Sequence, residues 1–281
     1  MSIFSNLLSS RNKQKATSTD TDAEMSFLDH LEELRWHIIR SLAVICTIGI
    51  VIFIYIKEFI NFCILQPFKP DFPVHRFMCY LDKNMCFEKM DVSMSATSPY
   101  EQFMTAFSIA IFGGFVIGFP YVAWETWRFI RPGLHAKEQG KLRGNVFIIS
   151  VLFFIGVAFS YYIVTPFSVI FLSQFKIADD VQNLWKIGDV IDLVTQITLG
   201  GAVIFEMPIV VYYLAKLGLL TPEFMREYHR HAIVVLLVLA AIITPPDVLS
   251  MILIFIPLLL LYEVSIWVSM VVTRNMAKEN A

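Results

Sequence analysis

The chain has 281 residues, of which 57% are hydrophobic and only 16% charged, with a formal net charge of -2 and a mean hydropathy of +0.64. A water-soluble domain with its own core needs far less apolar sequence, so composition points to a polytopic membrane protein. The near-neutral balance excludes the broad basic field that nucleic-acid binding requires.

Residues 1–24 are rich in Ser, Thr and charge and are expected to form a disordered tail. No secretory signal peptide is expected, because the first apolar run of spanning length starts near residue 37, after a polar stretch without a small-residue cleavage pattern. Between the two lies MSFLDHLEELRWHIIR, residues 25–40. Phe27, Leu28, Leu31 and Leu34 recur at helical spacing, and Asp29, Glu32, Glu33 and Arg35 cover the other faces. This pattern predicts a short amphipathic helix lying in the headgroup plane against the first span.

A bilayer core about 30 Å thick needs roughly 20 apolar residues per helix. On that rule the spans fall at His37–Ile56, Phe103–Trp124, Asn145–Thr165, Ile191–Leu214, His231–Thr244 and Val248–Val272. These make residues 25–272 one six-helix transmembrane domain, with 273–281 as a short C-terminal tail. The loop Lys57–Gln102 holds Pro67, Pro70, Pro73 and Pro99, and reads as an ordered cap with a short helix at Glu58–Leu65. Gly113, Gly114 and Gly118 in the second span invite close approach of a neighbouring helix. Glu125–Gly144 reads as a charged connection. The fifth span has only 14 residues, which suggests local thinning of the bilayer or incomplete crossing. Thr244–Asp247, TPPD, is a tight turn between antiparallel helices.

Six spans put both termini on one side. That side carries 15 of the 22 Lys and Arg residues and the other carries 7, so the positive-inside rule places both termini in the cytoplasm. Pro208 and Pro257 both lie in the second half with no counterpart in the first, unlike the paired broken helices of an inverted-repeat transporter. Cys46 falls in the first span. Cys63, Cys79 and Cys86 fall in the outer loop, where Cys79 and Cys86 could close a small disulfide in an oxidising compartment.

No GxSxG, HExxH, GxGxxG or phosphate-loop motif occurs, no cysteine and histidine spacing suits a metal, and no cofactor is implied. An enzyme is not expected. Acids within the spans are more informative. Glu206 sits about halfway along its span, where an ionised group costs ~2.5–3.5 kcal/mol on insertion scales, and so demands a partner, a proton or water. Pro208 frees a carbonyl one turn earlier, near Ile204. Asp247 can cap the last helix, Glu263 reads as structural, and Asp192 reads as a solvated helix start. On the termini side, Glu33 and Glu138 are carboxylates suited to bidentate binding of guanidinium groups. Alternatively each pairs locally, Glu33 with Arg35, His37 or Arg40, and Glu138 with Lys141. No span carries a continuous polar stripe, so the chain alone is not expected to form a pore.

FLDHLEELR at 27–35, WRFIRPGLHAKE at 127–138, FEMP at 205–208, TPPDVLS at 244–250 and LLYE at 260–263 together resemble the signature blocks of the TatC family. TatC is the polytopic core subunit of the twin-arginine protein translocase. The resemblance runs from about Phe27 to Val272 and implies a concave, glove-like bundle with a periplasmic cap in the bacterial cytoplasmic membrane. It also implies a receptor for folded precursors with twin-arginine signal peptides, driven by the proton-motive force. Its implied partners are TatA-type and TatB-type single-span subunits and further copies of the chain.

By the same resemblance Glu33, Glu138, Arg35 and Phe129 are implied in signal-peptide binding and Glu206 in docking partner helices, with Pro67 and Asp247 at functional turns. The chain departs from the family pattern at Trp36 and His37, at Gln139 and Gly140, and at Met251. The first two departures leave the acids less neutralised locally. Two other classes compete: a proton-coupled small-solute carrier using Glu206, and a structural scaffold indifferent to Glu33 and Glu138.

Overall fold

The computed structural model describes residues 31–69, 71–74, 76, 80, 94–130, 142–175, 184–244 and 248–279. Apolar sequence in hydrocarbon must satisfy its backbone internally, and the described chain does so almost wholly with helices. The elements are α1 (Leu31–Ile54), α2 (Glu101–Ile130), α3 (Leu142–Phe159), α4 (Thr165–Gln174), α5 (Ile187–Phe205), α6 (Met207–Lys216), α7 (His229–Ile243) and α8 (Val248–Glu279). A π-helical stretch, Ser160–Val164, joins α3 to α4. Among the described residues five helical stretches are long and apolar enough to cross a membrane, and α7 is a sixth, shorter apolar helix. The six expected spans are therefore all helical.

Five spans differ from the sequence expectation, the third because it continues past Thr165 through α4 to Gln174. Residues 25–30 of the expected amphipathic helix lie outside the described residues; over the rest nothing between Leu31 and Ile54 breaks the helix, so Glu33 and Arg35 ride on the span helix itself. α2 continues past Trp124 to Ile130, taking Glu125 out of the expected loop and into the helix. The fourth span is broken at Glu206, where α5 ends and α6 begins. α8 runs on to Glu279 rather than stopping at Val272.

Small residues set the helix crossings. A Cβ at Gly114 would stand 2.5 Å from the Ile45 carbonyl oxygen, and one at Gly49 3.0 Å from that of Ala110, so α1 and α2 touch backbone to backbone. A Cβ at Gly156 of α3 would likewise stand 2.8 Å from the Ala202 Cα of α5. Two apolar clusters result. One gathers Ile197, Val211, Leu236, Ile254, Leu258 and Tyr262 from α5 to α8. The other packs Ile64 and Phe68 of the first loop on Ile109, Val169, Val190 and Val194. Outside them Leu42, Ile50, Phe107, Val234 and Trp267 are exposed, an outward apolar face of the kind lipid covers.

The two ends of the bundle are built differently. At one end the start of α1 meets the end of α2, where His37 bonds Glu125. Trp127 of α2 packs on Tyr213 of α6, and the Tyr262 hydroxyl of α8 donates to the Met225 carbonyl beyond α6 at 2.8 Å. The described N-terminus and the C-terminal half of α8 thus share this end. At the other end the first loop folds as a helical turn (Ile56–Phe59), a π-helical turn (Ile60–Ile64) and a 3-10 turn (Gln66–Phe68). This is more irregular than the single helix expected at Glu58–Leu65. Met94–Ser95 pairs in parallel with Trp185–Lys186. The Glu101 carboxylate accepts from the Thr97 amide at 2.6 Å and the Thr97 hydroxyl at 2.8 Å. It also accepts from the Gly188 amide at 3.4 Å, tying the starts of α2 and α5 together.

Candidate functional site

The expected site residues fall into three places. Glu33, Arg35 and Phe129 lie at the end that carries the described termini. Glu206 lies at the α5–α6 break, and Pro67 in the cap. Glu138, Asp247 and the Cys79–Cys86 pair lie outside the described residues.

At the termini end the centre is an imidazole that sequence reasoning did not single out. His37, one turn after Glu33 on α1, is only 5% exposed, and Glu125 of α2 only 1%. His37 Nδ1 and Glu125 Oε2 share a hydrogen bond. The Tyr121 hydroxyl, one turn back on α2, donates to Glu125 Oε1 at 2.8 Å. Both oxygens of this buried carboxylate are thus occupied, as a carboxylate in an apolar interface requires. On its other edge His37 Nε2 lies 3.7 Å from Glu33 Oε1, whose side chain is 51% exposed. The Phe129 ring meets the imidazole edge-on, with centroids 6.1 Å apart. One ring therefore joins a buried acid, a half-exposed acid and the implied aromatic residue.

Arg35 belongs to a different set. It pairs with Glu32 at 3.2 Å and lies over the Trp36 ring. Of the local partners considered for Glu33, the structure selects His37. Glu125 was hidden because WETWRFI reads as a charged connection; Tyr121, Glu125 and Phe129, each one turn apart, are the pattern that could have revealed it. His37 entered the sequence reading only as a local partner for Glu33; its central place comes from Glu125, 88 residues away, which leaves no local trace.

At the α5–α6 break, Pro208 has no N–H to donate to the Ile204 carbonyl. The Glu206 amide instead bonds back to Val203 at 3.1 Å, and the Glu206 carbonyl accepts from Ile209 at 3.0 Å. The helix is interrupted but its backbone is largely re-satisfied. The side chain is not: Glu206 Oε1 is buried with no hydrogen-bond partner among the described residues. Asp192, Thr195 and Gln196 share one face of α5 and line a cavity of about 670 Å³ with Leu42, Ile45 and Phe115 of α1 and α2. Asp192 is exposed near the start of α5, as expected, and with Thr195 and Gln196 it gives α5 a partial polar face.

Glu263 of α8 stands 3.6 Å from His229 at the termini end. Pro67 is buried in the 3-10 turn that seats Phe68 in the second apolar cluster. Among the described residues no group of His, Cys, Asp and Glu could hold a metal.

The family model of the Sec-independent protein translocase protein (TatC) matches residues 29–257. The chain belongs to the TatC family. It is 33% identical over 259 residues to the Sec-independent protein translocase protein TatC of Blattabacterium sp. subsp. Periplaneta americana, covering 90% of this chain and 97% of that one. It is 30% identical over 259 residues to TatCy of Bacillus subtilis, covering 92% and 94%. A crystal structure of the twin arginine translocase receptor TatC superposes with a TM-score of 0.68 at 29% identity, over 87% of this chain and 99% of that one. A second, in the detergent DDM, gives 0.70 at 30%, over 85% and 98%.

The chain is therefore an integral membrane subunit of a Sec-independent protein translocase, a component of protein transport and not an enzyme. Membership of a protein-translocase family sets aside the small-solute carrier.

Proposed function

We propose that this TatC-family chain is the receptor for twin-arginine signal peptides in the bacterial cytoplasmic membrane, with both termini in the cytoplasm. The observation that carries the proposal is the half-exposed Glu33 carboxylate, held at the start of α1 beside a buried His37–Glu125 pair and the Phe129 ring. A carboxylate at a partly desolvated edge binds guanidinium in a fork that ammonium cannot reproduce, which gives the preference for arginine over lysine.

Glu33 engages one arginine of the pair and Glu138 the other. The apolar part of the signal then enters the bundle. Glu206, with an oxygen unpartnered among the described residues at the helix break, receives a polar group from a TatA-type or TatB-type helix, and further copies of the chain join the receptor complex. Transport of the folded cargo draws on the proton-motive force.

The test is binding of a fluorescent twin-arginine signal peptide, and of its twin-lysine analogue, to the detergent-solubilised chain. Preference for arginine is expected, and it shrinks in Glu33→Ala and in Glu138→Ala. Equal binding of both peptides by wild type and variants overturns the receptor reading.

A further inference from the structure

His37 is placed where its proton and a guanidinium compete for the same acid. Its Nδ1 is committed to Glu125, whose other oxygen is held by Tyr121. Only Nε2 remains, and it faces Glu33 at 3.7 Å. A neutral imidazole here carries its hydrogen on Nδ1, because the buried carboxylate accepts it, and offers Glu33 a lone pair. A charged imidazolium carries a second hydrogen on Nε2, directed at Glu33, and repels any incoming cation.

We propose that His37 couples cation binding at Glu33 to a proton: docking of an arginine side chain breaks the Nε2–H bond and delivers that proton to the surrounding water or buffer. Glu125 and Tyr121 are the positioning residues that keep the ring in this orientation. The inference rests on the receptor reading of Glu33 and adds to it the regulation of that site.

The charged and titratable groups around the ring, among the described residues, are few. α1 contributes Glu33 and Arg40, and α2 contributes Glu125, Tyr121 and Arg128. Arg40 and Arg128 keep their charge at every working pH. Tyr121 donates its only proton to Glu125 and stays a neutral phenol. A change of affinity with pH that His37→Gln abolishes belongs to the ring, because glutamine keeps the hydrogen bonding and removes the imidazole. Linkage makes the effect reciprocal: acid weakens arginine binding, and arginine binding expels the proton.

The experiment uses the full chain in detergent with the fluorescent twin-arginine peptide at several values between about pH 5 and 8. Affinity is expected to fall on acidification by about fivefold or more, the lower range of typical couplings. His37→Gln, which keeps a hydrogen-bonding side chain without the titration, is expected to flatten the profile. Glu125→Gln, which keeps the shape but replaces the carboxylate that accepts from Nδ1 and fixes the ring, is expected to shrink it.

Titration calorimetry on wild type in two buffers of different ionisation enthalpy reads the proton directly and does not depend on a variant folding. Release is expected near the acid end of the window and none at the alkaline end. An arginine preference with no pH dependence and no proton release overturns the coupling alone, as does a pH profile that persists in His37→Gln. Absence of any arginine preference at every pH overturns the receptor reading and the coupling with it.

Discussion

Glu125 and Glu206 are two acids sunk into the apolar helices of one bundle, and their surroundings differ in kind. Glu125 has each oxygen on a partner, His37 from the neighbouring helix and Tyr121 from its own. Glu206 sits where the helix breaks, with Oε1 buried and unpartnered among the described residues. Burial of a carboxylate is costly in both places. At the first the chain supplies the compensation itself and gains a fixed imidazole. At the second it leaves the compensation outside, which suits a group that a partner helix completes. A buried acid is therefore not one signal: the count of its hydrogen bonds separates an acid that builds a site from one that waits for a ligand.

Removing one member of the saturated cluster should cost most. Glu125→Ala strands His37 at the α1–α2 crossing and is expected to destabilise by about 3–5 kcal/mol, as for a broken buried pair, read as a large fall in the thermal melting point in detergent. Tyr121→Phe removes a single hydrogen bond to the carboxylate and should cost about 1.5–3 kcal/mol in the same assay. Pro208→Ala restores a donor opposite the Ile204 carbonyl, worth about 0.5–1.5 kcal/mol of added stability, while a less broken helix re-aims Glu206 and lowers export of a reporter cargo in cells. Smallest in stability is Glu206→Leu. With no partner among the described residues to strand, it should leave melting within about 1 kcal/mol of wild type or raise it, yet abolish crosslinking to a TatA-type or TatB-type helix. A Glu206→Leu penalty as large as that of Glu125→Ala would erase the distinction between the two acids.

The helix count, the short α7 and the glycines of α2 were legible because each follows from hydropathy, length or side-chain size. The break at Pro208 was half legible: proline announced a freed carbonyl, but Glu206 as the hinge residue itself needed the backbone bonds to Val203 and Ile209. Glu33, Arg35 and Phe129 were singled out by sequence, yet their division was not. His37 joins Glu33 to Phe129 and leaves Arg35 with Glu32. The reason is that a pair separated by 88 residues leaves no local trace. Glu125 beside Arg128 looks like a solvated loop until another helix is laid over it. The partial polar face of α5 escaped for a similar reason: Asp192, Thr195 and Gln196 are interrupted by apolar residues in sequence and meet only on one side of the helix.

The π-helical stretch Ser160–Val164 fixes the phase of everything that follows it. A π turn holds one more residue than an α turn without lengthening the run, and the Tyr161 hydroxyl within it donates to the Cys63 carbonyl in the other π turn, Ile60–Ile64. Rewinding this stretch as a regular α-helix with every residue kept would swing α4 by about 100° about its axis. Ser168 would then leave Ser250, 2.5 Å away, and Val169 would turn out of its cluster. The extra residue works as an angular offset between the membrane-depth part of the helix and its outer part, so that one rod presents two differently oriented faces to two different layers of neighbours.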